Sequence, residues 1–389
     1  MNNTLKLKEC CTIIAGQSPE SKYYNSKGEG LPFFQGKADF GALYPNIRIY
    51  CSQPTKIAEK DDILLSVRAP VGPTNLSPGK VCIGRGLTAI RPGSSIRLKY
   101  LLYFFKYYEA QLQKSGTGTT FKAITQNVIK NIEVPVPSLD EQERTVSKIE
   151  ELFSKLDASV AELKTAKEKL KVYRQAVLKE AFDSVRSDCM TTTIKSVCAT
   201  IKVGIVIKPT QYYVKTDGVF AFRNANVRRN YIEDNDWAMI SQEGHQKNLK
   251  SQVHTDDVLI ARSGVNLGMA TAVPEKYDGY NAIDIVIAVP KKNFVLPKYL
   301  AQYTNSPYGV EIVKKNQHGA AQGHLNVKEY GNLPIFLPNI SVQNELLQKI
   351  ESRLSVCDSI EQTIDTSLQQ AEALRQSILK QAFEGRLIE

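Results

Sequence analysis

Arg174-Gln-Ala-Val-Leu-Lys-Glu-Ala-Phe182 recurs as Arg375-Gln-Ser-Ile-Leu-Lys-Gln-Ala-Phe383, 201 positions further along the chain. The same offset, without a gap, aligns Pro137 with Pro338, Gln142 with Gln343, Ile149 with Ile350 and Asp157 with Asp358. Upstream the match continues with small shifts. Asp61-Asp-Ile-Leu-Leu-Ser66 pairs with Asp256-Asp-Val-Leu-Ile-Ala261, Tyr100-Leu101 with Tyr299-Leu300, and Asn131 to Pro137 with Asn332 to Pro338. Two copies with so long a period are not a solenoid, which stacks many short repeats. The sequence is a duplicated unit, a globular part followed by a tail.

The tails read as long helices. Ser138 with Glu141 three residues on makes a capping box, directly after Pro135 and Pro137, and no Pro or Gly follows before Phe182. Ile149, Leu156, Leu163, Leu170 and Val177 fall on a seven-residue repeat, with Leu152, Ala166 and Tyr173 on companion positions. The second tail, starting near Asn339 or Ser341, carries the series Ile350, Cys357, Ile364, Ala371 and Ile378, with Ile360 and Leu374 beside it. A period of 3.5 held over five heptads is the coiled-coil pattern. Each helix would be roughly 60 Å long at ~1.5 Å per residue, more than one domain covers, so the two are expected to cover each other. Chain order favours antiparallel pairing and an approximate two-fold axis within the chain. The fold class expected is α+β, with two mixed α/β domains separated by the paired helices.

At 389 residues the chain suits two domains plus these helices. No apolar run approaches the ~20 residues that cross a bilayer, and residues 1–8 do not resemble a secretory signal. The seven cysteines include no Cys-x-x-Cys pair, so buried free thiols in a cytoplasmic protein are expected. The net charge of +10 is unevenly placed. Residues 1–139 hold 18 basic against 9 acidic residues, a net +9, and residues 184–340 hold 18 against 13, a net +5. Residues 140–183 and 341–389 carry −1 and −3. A basic excess confined to the globular parts is the footprint of a polyanionic partner.

Short β-like runs occur at Asp62–Val67, Val81–Ile83, Val258–Ile260 and Ala282–Val289, and helix-like stretches at Leu98–Lys114 and Pro297–Lys314. Signatures of chemistry are missing. Gly116 to Lys122 is no P-loop, because Phe121 stands where its second Gly belongs, and there is no methyltransferase box, His-Glu-x-x-His or Gly-x-Ser-x-Gly. Asp61-Asp62 and Asp256-Asp257 are read as turns before strands rather than metal ligands, and no metal site is expected. Groups suited to DNA are better represented. In the first half they are Gln35, Lys37, Ser66, Arg68, Lys114, Thr117, Thr119 and Lys122; in the second they are Arg223, Asn224, Asn226, Arg228, Arg262, Ser263, Gln322 and His324. Arg, Asn and Gln read base edges bidentately, while Lys and hydroxyls hold phosphates. Singly, each is an ordinary surface side chain; the set points to DNA.

With Val134-Pro-Val-Pro-Ser-Leu-Asp-Glu-Gln142 leading into a long helix, the two Arg-Gln-x-[Val/Ile]-Leu-Lys-x-Ala-Phe endings, Gly385-Arg-Leu387, and Gly30 to Asp39, the whole chain resembles the specificity subunits of type I restriction-modification systems. The second helix departs from the pattern at Val342-Gln343 and at Arg353, which takes a heptad position. The resemblance implies target-recognition domains over 1–135 and 190–335, and helical spacers over 136–183 and 336–389. Each domain would read half of a bipartite double-stranded DNA site. The helices, paired through Ile149, Leu156, Leu163, Leu170, Val177, Ile350, Ile364 and Ile378, would set the gap and dock two methyltransferase subunits. Those partners would use S-adenosylmethionine, and restriction subunits would use ATP and magnesium; this non-catalytic chain would bind no cofactor. Two alternatives stay open: a related system whose partner fuses methyltransferase and nuclease, and a coiled-coil adaptor with no DNA role.

If the helices set the gap, inserting four residues at matched positions in both lengthens the spacer by about 6 Å. At about 3.4 Å per base pair this is one to two steps of DNA. Mapping of modified adenines is expected to show a wider gap between unchanged half-sites; an unchanged gap would place the spacing elsewhere.

Overall fold

The computed structural model describes residues 4–116, 123–315 and 324–388. The chain divides into two compact units, Met1–Leu163 with Asp365–Glu389, and Lys164–Ile364. Each combines a globular part with segments of both long helices.

In the first unit, strands β1 (Cys11–Ala15), β2 (Ile63–Ser66), β3 (Thr74–Leu76) and β4 (Leu87–Pro92) form an antiparallel sheet in the order β1-β4-β2-β3. β2 is buried throughout, as its unbroken apolar run requires. Side chains alternate across a strand. Ile63 and Leu65 therefore join the core under the helix Leu98–Ser115, while Leu64 joins Phe34, Val81 and Ile83 on the other face. That second face carries a five-stranded sheet including Leu31–Phe34 and Val81–Ile83.

The second unit repeats the arrangement. Strands β5 (Cys198–Val203), β6 (Val258–Ala261), β7 (Ala270–Ala272) and β8 (Ile285–Pro290) take the order β5-β8-β6-β7. Val258 and Ile260 face one core, and Leu259 and Ala261 another. Two expectations are corrected here. The run read as one strand from Ala282 is broken at Asp284, whose φ is 54°, so β8 starts at Ile285. The helix expected over 297–314 is two, Pro297–Asn305 and Pro307–Lys315. Pro307 has no N–H to donate and pushes Ser306 out of the helical region, to ψ 162°.

Both aspartate pairs are turns. Asp61 and Asp256 have φ of 66° and 71°, and the carboxylates of Asp62 and Asp257 accept from Glu59 N at 2.8 Å and His254 N at 2.9 Å. Arg91 also clamps Asp62 with two bonds of 2.8 Å. Among the described residues no cluster of His, Cys, Asp and Glu could hold a metal ion, and no helix is long and apolar enough to cross a membrane. All seven cysteines are free thiols, five of them buried.

The long helices span Leu139–Arg186 and Ile340–Phe383. Ser138 and Glu141 form the expected capping box, and Asn339 Oδ1 accepts from Val342 N at 3.0 Å at the second start. Gly385, with φ 73°, ends the second helix by letting Arg386 N donate back to Gln381 O at 2.8 Å. Within each unit the two helices run antiparallel. Arg375 pairs with Asp157 in the first unit, and Arg174 pairs with Asp358 at 2.7 Å in the second. These two ion pairs are equivalent under the 201-residue offset. Arg353, on its heptad position, reaches Glu180 at 2.8 Å and the Tyr173 hydroxyl at 3.3 Å.

Ile149, Leu170, Val177, Ile350, Cys357, Ile364 and Ile378 are buried, and Leu156 and Leu163 half-buried. Of the companion positions, Leu152 is half-buried and packs on the first unit's core, while Ala166, Tyr173, Ile360 and Leu374 are corrected, being exposed. Near the helix ends the buried stripe instead passes through Val146 and Phe153, Leu178 and Phe182, Leu346 and Leu347, and Leu379 and Phe383, where globular parts cover it.

Gln142 and Gln343 are fully buried and make the same bonds. Gln142 Oε1 accepts from Arg97 N at 2.8 Å, and its Nε2 donates to Ser95 O and Pro137 O, each at 2.9 Å. Gln343 Oε1 accepts from Leu296 N at 2.9 Å, and its Nε2 donates to Phe294 O and Pro338 O, each at 2.8 Å. Each glutamine thus locks the start of a long helix to the segment entering the domain helix. Gln142→Ala and Gln343→Ala leave backbone groups buried without partners, at about 1–3 kcal/mol for each group. Urea denaturation of either variant is expected to show a midpoint well below that of the parent protein.

Candidate nucleic-acid interface

In the first unit a cleft of about 540 Å³ is lined by Gln35, Lys37, Arg48, Ser66, Arg68 and Arg85, among others. β2 ends at Ser66 and delivers Arg68 to the rim; the tight turn Lys37–Asp39 delivers Lys37. Buried Asp39 organises that turn, accepting from Gln35 N at 2.8 Å and pairing with Arg48. Gly86 is required on the opposite lip, because a Cβ there would lie 2.1 Å from Gln35 O. The exposed side chains Gln35, Lys37, Arg48, Arg68 and Arg85 leave the cleft strongly basic, with Asp39 the one carboxylate among the described residues that line it. Nearby, burial lifts the Glu109 carboxyl above its ordinary range, with Gln113 and Lys37 acting against that shift.

The structure therefore brings together Gln35, Lys37, Ser66 and Arg68. Ser66 is buried, however, and its hydroxyl donates to Arg68 O at 3.1 Å and Pro70 O at 2.9 Å, so it shapes the turn. Lys114 is exposed near the end of its helix and is not among the residues that line the cleft. Thr117, Thr119 and Lys122 lie outside the described residues. Arg48 and Arg85 were not singled out from sequence; the Gly84-Arg85-Gly86 triplet is a turn signal that presents an arginine and marks the second of them.

In the second unit the corresponding loops hold a hydrogen-bonded network. Asn224 Oδ1 accepts from Arg262 N at 2.8 Å, while its Nδ2 donates to Ser263 Oγ and Asp284 O, each at 3.0 Å. The Arg262 side chain is only 12% exposed, pairing with Asp284 at 3.2 Å and donating to Leu325 O at 3.2 Å. Arg223 pairs with Asp236 at 2.7 Å. Asn226 is 1% exposed; its Oδ1 accepts from Arg223 N at 2.9 Å, and its Nδ2 donates to Glu233 O and Asn235 O. That burial leaves it no free edge, so it holds its loop as Asp39 holds the turn in the first unit. Arg228 donates to Ala225 O and lies 3.9 Å from Glu233. His324 is exposed, and Gln322 lies outside the described residues.

Residues 2–171 match the family described as the type I restriction modification DNA specificity domain. The chain is similar to the putative type I restriction enzyme MjaX specificity subunit of Methanocaldococcus jannaschii, 44% identical over 138 residues, 35% of this chain and 32% of that one. It is 23% identical over 331 residues to the EcoKI specificity subunit of Escherichia coli K12, covering 80% of this chain and 70% of the relative. The HsdS subunit from Thermoanaerobacter tengcongensis overlaps 40% of this chain and 38% of its own, at 47% identity and a TM-score of 0.38. The chain thus spans about a third of the archaeal relative.

The exposed cations and the buried amide predict different failures. If the cleft takes a DNA backbone, Lys37→Ala and Arg85→Ala each weaken binding to all duplexes alike and flatten the log–log salt slope by about 0.9, measured by fluorescence anisotropy. Asn226→Ala should lower thermal stability by about 1–3 kcal/mol, because the buried loop groups lose their partner.

Proposed function

We propose that this chain, which matches the type I restriction modification DNA specificity domain over residues 2–171, is the sequence-specificity subunit of a type I restriction-modification system. Each unit reads one half of a bipartite site on double-stranded DNA. The observation that carries this reading is the duplication: the same four-stranded sheet and the same buried glutamine recur in both units, while the loops at the ends of β2 and β6 differ in sequence. A constant frame with different exposed side chains suits two independent readings of one ligand class.

The reading assigns no catalysis to this chain. Its work is to place partners on DNA: phosphate contacts fix register, and base-edge contacts supply sequence. Two methyltransferase subunits using S-adenosylmethionine would dock on the helices and modify adenine, and restriction subunits using ATP and magnesium would join them. The net charges of +9 and +5 on the globular segments support a DNA partner, and the weakly acidic helical segments support a protein one.

Exchanging residues 190–335 for the equivalent part of a relative tests this. With the chain assembled with methyltransferase subunits, one half-site should change and the other stay, as read by mapping modified adenines. A change in both would refute two independent readers.

A further inference from the structure

The turns after β2 and β6 are closed by the same backbone bonds. Gly72 N donates to Ser66 O at 3.0 Å and Ser66 N to Pro73 O at 2.9 Å; Gly268 N donates to Ala261 O at 2.8 Å and Ala261 N to Met269 O at 2.9 Å. Both glycines hold positive φ, 107° and 79°. The tip of the first turn, Arg68-Ala-Pro70, lies on the rim of the basic cleft. In the second turn Val265 takes the place of Pro70, and it is 97% exposed.

A single exposed valine is ordinary on a protein surface. This one is held in place. Leu267 N donates to Gly264 O at 3.2 Å, Met269 N to Asn266 O at 2.8 Å, and buried Asn266 donates through Nδ2 to Asn224 O at 2.9 Å. The isopropyl group therefore stands outward on a fastened tip, two residues along the chain from Ser263, whose hydroxyl accepts from Asn224 Nδ2 at 3.0 Å.

On the major-groove edge of DNA the apolar group presented to a protein is the C5 methyl of thymine. We propose that Val265 is a specificity-determining residue of the second unit and packs against the methyl group of one thymine in its half-site. This rests on the DNA-reading function above. Phosphates and sugars offer an isopropyl group nothing comparable.

The test begins with the full chain in complex with methyltransferase subunits, used to select its site from a randomised duplex pool. Each thymine of the selected site is then replaced singly by deoxyuridine, which lacks only the methyl. The expected result is one thymine, in the half-site that changes when residues 190–335 are exchanged, whose replacement weakens binding about three- to ten-fold. The same replacement should cost Val265→Ala little, while its melting temperature matches the parent protein. Indifference of the parent protein to every replacement overturns the inference and leaves DNA reading intact, as does equal sensitivity in Val265→Ala. A pool that returns no site overturns the DNA reading and the inference with it.

Discussion

Phe383 stacks on Tyr107 with ring centroids 5.5 Å apart and meets Tyr100 and Phe104 edge-on; Phe182 meets Tyr299 and Tyr303 edge-on at 5.4 and 5.1 Å. In sequence Phe182 ends the first repeat and Phe383 the second, yet each completes the aromatic core of the globular part from the other repeat. Aromatic side chains bury the largest areas available to a core and gain further from edge-to-face geometry. The long helices must therefore run antiparallel within each unit, because their far ends are already committed. The equivalent ion pairs Arg174–Asp358 and Arg375–Asp157 then fall at the same register on both sides. Exposed in part, these pairs add little stability, but they penalise a shifted register.

Polar side chains divide into two groups by what they are bonded to. Gln142, Gln343, Asp39, Asn226 and Asp62 spend their capacity on backbone groups or on one arginine, and all are buried. Buried polar groups must be satisfied, so these fix loop and helix starts in one geometry. Lys37, Arg68 and Arg85 have no such duty and stay exposed around a cleft. The second unit differs. There Arg262 is tied to Asp284 and Leu325 O, leaving fewer free cations on the matching loops, in keeping with the smaller net charge of its segment.

Much of the scaffold was legible because it is periodic or local. The 201-residue offset, the heptad series, the Ser138 capping box and the Asp turns depend on neighbours in sequence. Pro307 was equally visible, and the helix it breaks was read through it. Most companion positions are exposed because a heptad series does not say which flank a domain covers, and the covering residues, Tyr100 and Tyr299 among them, lie more than a hundred positions from the helix residues that they cover. The burial of Ser66 and Asn226 was illegible for a different reason. A hydroxyl or amide before a turn looks alike whether it faces a ligand or its own backbone, and only the folded loop decides.

The turns after β2 and β6 show how such a frame tolerates change at its reading edge. Their closure uses backbone N–H and C=O groups of residues 66, 72 and 73 in one unit and 261, 268 and 269 in the other. Backbone bonds do not depend on side-chain identity, provided that Gly72 and Gly268 keep their positive φ. Exposed residues between them, such as Arg68 and Val265, are thus spared from these closing bonds, whereas buried Asn266 still ties its turn to Asn224 O. Arg68-Ala-Pro70 and Arg262-Ser-Gly-Val265 differ in length by one residue and in chemistry at nearly every position, yet both are presented from the same sheet edge. Separating the groups that close a loop from the groups that it displays lets one fold hold two different surfaces without refolding either.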